Sequence, residues 1–88
     1  MFRPLHISAV GAGSVGGPGA WATILSVVVG TGAATAVLTV YQGQTTSGPV
    51  VGIFDCSSTR SIVLGVDCKD GFNWVLSGGN ADITIAYS

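Results

Sequence analysis

Eighty-eight residues suffice for one domain with one core; 48% of them are hydrophobic and only 8% are charged, against a usual charged share of about 25%. Three basic and four acidic residues leave a net charge of −1, so there is no basic patch to neutralise phosphates, and nucleic-acid binding is excluded. So neutral a surface exposes apolar or Ser/Thr/Gly area with little to repel like molecules, which implies an obligate neighbour.

Alternating apolar residues and clusters of Gly, Pro, Asn, Asp and Ser predict seven short strands, at residues 5–10, 20–29, 34–41, 50–55, 61–66, 72–77 and 81–87, and no substantial helix. The expected fold is all-β, a single small antiparallel β-sandwich of jelly-roll-like type covering residues 1–88. After the first strand, Gly11 to Gly16 spell G-A-G-S-V-G, the dinucleotide-binding pattern. That pattern needs a helix to begin at its glycines and an acidic residue about 20 positions on. Gly17-Pro18-Gly19 and a β-branched run follow instead, and no charge lies between Arg3 and Asp55. No nucleotide cofactor is expected, and the Gly-rich segment 11–19 reads as an arm or interface loop that lies against a partner through Gly11, Gly13, Gly16 and Gly17.

In the next strand Trp21, Thr23, Leu25, Val27 and Val29 share one face under strict alternation, yet Ala22, Ile24 and Val28 opposite them are apolar too. A strand apolar on both sides implies a second covering surface from another subunit, so Trp21, Leu25, Val27 and Val29 join the glycines as candidate interface residues. The uncharged run 20–41 is long enough to span a bilayer, but Gly30-Thr31-Gly32 and scattered threonines divide it into two strands, and no membrane segment is expected. A signal peptide is not expected either, since Arg3-Pro4 precedes no compact apolar segment. Farther on, Ala36, Leu38 and Val40 form one face and Thr35, Val37, Thr39 and Tyr41 the other. The expected core comprises the first of these faces with Ile83, Ile85 and Tyr87; Phe72, Trp74 and Leu76 share one face of their strand, and Ile62, Leu64 and Val66 one face of theirs.

Catalytic chemistry has little to draw on. Cys56 and Cys68 lie outside any C-x-x-C motif; free thiols are favoured over a disulfide, which would need Cα atoms within about 7 Å. His6 is the lone imidazole and reads as an edge residue. Asp67-Cys68-Lys69-Asp70-Gly71 brings two carboxylates to a glycine but lacks the rest of a calcium loop, the chain having no Glu. Asp55, Asp67, Asp70 and Asp82 all fall in or beside turns with no sign of a common cleft. The expectation is a non-enzyme with no metal. Trp21, Trp74, Tyr41 and Tyr87 suit either a sugar-stacking platform or interface anchors, the latter favoured.

The two segments "LTVYQGQTTSGPVVGIFDC" and "DGFNWVLSGGNADITIAYS" carry a layout: a strand ending in Tyr-x-Gly, a Ser-Gly-Pro turn, an outgoing strand, and a closing Gly-x-x-Ala-x-Ile-Thr-Ile-x-Tyr hairpin. This resembles small all-β virion proteins of tailed bacteriophages over roughly half the chain. The resemblance implies a sandwich module that decorates or cements a capsid, with the major capsid protein as partner, a homo-oligomer with a trimer favoured, and localisation in the virion after synthesis in the host cytoplasm. A tail, collar or fibre component is the nearest alternative, and a small carbohydrate-binding module using Trp21 or Trp74 is the alternative from a different class.

Overall fold

The computed structural model describes residues 3–17 and 19–88. Eight strands carry the fold: β1 (Arg3–Ile7), β2 (Gly11–Val15), β3 (Ala22–Thr31), β4 (Val37–Gln42), β5 (Val50–Asp55), β6 (Arg60–Cys68), β7 (Phe72–Ser77) and β8 (Asp82–Tyr87). They form two four-stranded antiparallel sheets with orders β1-β8-β3-β6 and β2-β7-β4-β5. Most connections pass from one sheet to the other; only β4 and β5 are joined as a hairpin. This is the eight-stranded jelly roll, and no described residue is helical.

The eighth strand comes from the glycine-rich segment. Gly11 to Val15 pair residue by residue with Leu76 to Phe72 of β7, so this stretch is an integral edge strand and not a free arm or loop. Its helical alternative fails for the reason seen in the sequence, and at Gly13 a large neighbour fills the space of the missing side chain. A Cβ on Gly13 would come within 2.8 Å of the Trp74 ring directly opposite. Removing residues 10–19 would therefore delete part of the sandwich. Pro18 lies outside the described residues.

A bulge settles the ambiguity of β3. In the β3–β8 ladder the register shifts between Ile24 and Ser26, which makes Leu25 an extra residue and reverses the alternation from that point; in the β3–β6 ladder the shift at the same place leaves Leu64 and Gly65 of β6 opposite Leu25. Ala22 and Ile24 before the bulge, and Val27 and Val29 after it, consequently all face inward and are buried. Strict alternation put Val27 and Val29 with Trp21 on a partner-facing side. That assignment is corrected: both valines are core residues, fully shielded by their own chain.

Between the sheets, Ile24, Val27, Val29, Leu38, Val40, Phe72, Leu76, Ile83 and Ile85 are completely buried. Ile62, Leu64, Val66, Trp74 and Tyr87 pack against them while keeping some exposure. Tyr87 meets Phe72 edge to face, with ring centroids 5.7 Å apart and planes at 77°. At the β6–β7 turn Gly71 has φ +80°, and a Cβ there would fall 2.0 Å from the Val15 carbonyl oxygen, so only glycine lets this turn close against the end of β2. Cys56 and Cys68 are free and buried. Cys68 ends β6 and Cys56 lies four residues before Arg60; the strand spans about 27 Å and those four residues at most about 14 Å, so the two stay beyond disulfide reach.

Candidate functional site

The two outer surfaces of the sandwich differ in chemistry. On the β2-β7-β4-β5 sheet, cross-strand pairing aligns Ala12, Val75, Thr39 and Ile53 in one outward row. Ser77, Val37 and Asp55 form the row on one side, and Ser14, Asn73, Tyr41 and Val50 the row on the other. Asp55 is the single charged side chain among them. Hydrogen bonds from Ser57, through its side chain and then its backbone, hold the exposed Asp55 carboxyl below the usual carboxylate range. Ile53 is 68% exposed and Val50 53% exposed, while Val37, Thr39 and Val75 are half-buried. Covering what remains exposed of Ile53 and Val50 by another molecule would contribute about 1–2 kcal/mol each.

One end of this face is closed by its own chain. Asn73, 5% exposed, donates both amide hydrogens to a loop that folds over it, to the carbonyls of Gly43 at 3.0 Å and Thr45 at 2.9 Å. Gln44 in the same loop donates to the carbonyls of Asp70 (2.7 Å) and Val15 (3.2 Å), fastening it to the β6–β7 turn. The open part of the face is thus the region around Ile53, Thr39, Val75 and Val37.

The opposite sheet presents mostly shorter side chains and a histidine–aspartate pair, with Val63 exposed among them. Its outward rows read His6, Thr84, Val28, Ser61 and Pro4, Ala86, Ser26, Val63. His6 Nε2 meets Asp82 Oδ1 across β1 and β8, and Thr23 donates its hydroxyl to Asp67 at 2.6 Å.

A cleft of about 390 Å³ opens at one end of the sandwich, lined by Arg3, Val15, Trp21, Ala22, Tyr87 and Ser88 with Gly16 and Ala20. Trp21 stands at its rim, 65% exposed. The lining offers two aromatic rings and one guanidinium, which suits a sugar or another flat, partly polar group. Among the described residues no group of three or more His, Cys, Asp or Glu gathers to hold a metal. Burial pushes both thiols above their ordinary pKa, which keeps them neutral and withholds the thiolate that nucleophilic chemistry needs.

No protein-family model matches this chain, and no curated protein matches it either. The geometry therefore carries the functional reading.

The residues expected at an interface are dispersed. Trp21 is exposed at the cleft, Leu25 is half-buried at the bulge, and Val27 and Val29 are in the core. Gly11 and Gly13 lie in the edge strand β2; Gly16 and Gly17 follow it, with Gly16 (φ +85°) against the backbone of Gly71. The outer face centred on Thr39 and Ile53 was absent from the expected set. Half of its signal was legible, since Val37, Thr39 and Tyr41 oppose the core triplet Ala36, Leu38 and Val40. The other half needed the order of the strands.

Proposed function

We propose that this chain is a structural virion protein, a capsid decoration or cement subunit that docks on the assembled shell and stabilises it. The observation that carries the reading is the nearly uncharged outer face of the β2-β7-β4-β5 sheet, with Ile53 and Val50 left largely uncovered. An apolar face of this kind gains free energy when another protein covers it, and a subunit that binds only the assembled shell stabilises it by mass action. The jelly-roll architecture also recurs in capsid components, which is support by analogy of fold. The partner is the major capsid protein, met through this sheet face and not through a glycine-rich arm. Val27 and Val29, being inside the core, supply no surface for the trimer that the resemblance implies.

The test is co-sedimentation of the purified protein with shells assembled from the capsid protein of the same genome, comparing wild type with Ile53→Asp. A second reading, a carbohydrate-binding module, is favoured by the cleft beside Trp21. Glycan binding that is lost in Trp21→Ala and kept in Ile53→Asp would establish that reading in place of the first.

A further inference from the structure

We infer that β6 is a self-pairing edge, joining β6 of a second copy antiparallel across a two-fold axis at Leu64. The inference does not depend on shell binding. Among the described residues β6 is hydrogen-bonded to β3 alone, so its other side presents a row of backbone donors and acceptors. At nine residues it is the longest edge strand, and Val63 on it is 83% exposed. A long edge without Pro or Lys is a template for another strand; its charges, Arg60 and Asp67, lie near its ends, and although its ladder with β3 shifts at Leu64-Gly65, β6 itself alternates regularly from Ser61 to Cys68. The remaining edges are protected: β1 contains Pro4, which has no N–H; β2 has five residues; and β5 has six, with Val51 bulged out of its ladder.

The partner is a second copy because the sequence of β6 complements itself. Antiparallel pairing must place outward residues opposite outward ones, and centring it on Leu64 satisfies this from Ser61 to Asp67, with Arg60 beyond the matched stretch opposite Cys68. Val63 then stands opposite Gly65 of the second copy. A Cβ on Gly65 would meet nothing within 4 Å, so there is open space for the valine side chain. Ser61 stands opposite Asp67, a hydroxyl donor facing a carboxylate, and Arg60 comes one position from that same Asp67. On the inner side Ile62 faces Val66 and Leu64 faces Leu64. These half-buried side chains would complete each other's cover and continue the apolar core through the junction. The result is one eight-stranded sheet shared by two sandwiches.

The experiment is light scattering on the full chain over a concentration range, with amide hydrogen exchange on the same samples. The expected result is a mass rising to twice 8.8 kDa, with alternate β6 amides passing from rapid exchange to protection over the same range. Val63→Lys, exposed and away from the core, should remain folded and monomeric, halving the mass at the highest concentration. A wild-type monomer throughout, or a dimer whose β6 amides stay unprotected, would overturn the inference. Neither result touches shell binding, which co-sedimentation reads separately: a monomer that binds shells refutes only the β6 pairing, and a dimer that does not bind refutes only the shell reading.

Discussion

The indole of Trp74 occupies the place that a side chain on Gly13 would need, the two residues standing directly opposite each other on β7 and β2. The glycine-rich strand is held as part of the sandwich by its ladder with β7, and the missing side chain of Gly13 is replaced by one large ring reaching across from that neighbour. Gly13→Ala should cost about 1–3 kcal/mol by overpacking against that ring. Trp74→Ala should cost about 3 kcal/mol and loosen β2 from β7. Chemical denaturation measures both costs, and hydrogen exchange in residues 11–15 reads the loosening; a free arm would show neither.

Removal of Leu25 tests the bulge in β3. Without that residue Ala22, Ile24, Val27 and Val29 alternate strictly with Thr23, Ser26 and Val28, so all four still face the core and the β3–β8 ladder runs without a shift from Ile24 to Val29. The deletion should therefore remain folded by circular dichroism, as should Leu25→Ser, which keeps the bulge. A deletion variant that unfolds would contradict Leu25 as the surplus residue.

Asn73→Leu should free the loop over residues 43–49. The leucine cannot donate to the carbonyls of Gly43 and Thr45, and losing these bonds should cost about 1–3 kcal/mol. Limited proteolysis should cut this loop in the variant before the strands are touched.

The buried thiols give a pH dependence of definite sign. Burial raises the pKa of Cys56 and Cys68 in the folded state, so the unfolded chain loses those protons first as pH rises. The contribution is present in full below the ordinary thiol pKa of about 8.5 and is lost as pH climbs from there through the folded values. Thiol titration should find both groups slow to react in the native protein and fast in denaturant. Replacing both by Ser or Ala should flatten the alkaline part of the stability curve.

Strand grammar was clear where one face is wet. The bounds of β5 and β7 agree with those expected from alternation and turn residues, and Ala36, Leu38, Val40, Ile83 and Ile85 are core as the pattern implied. Two local features broke the reading. Gly11-Ala12-Gly13-Ser14-Val15 carries almost no side-chain signal, and its pairing with β7 makes it a strand. In β3 a single bulged residue makes two apolar faces into one, and nothing in the run Ile24-Leu25-Ser26-Val27 marks where the bulge falls. The candidate face could not be assembled from sequence, because Ala12, Thr39, Ile53 and Val75 come together only through the order β2-β7-β4-β5.

The central claim is most directly tested by co-sedimentation of wild type and Ile53→Asp with assembled shells of the same genome. Ile53 is exposed and carries no core contact of the Leu38 or Phe72 kind, so the variant should remain folded, as its circular dichroism would establish. Saturable binding of wild type, reduced at least tenfold in Ile53→Asp, is the result expected of a decoration subunit that docks through this face. Absence of wild-type binding, or equal binding by both folded proteins, would contradict it.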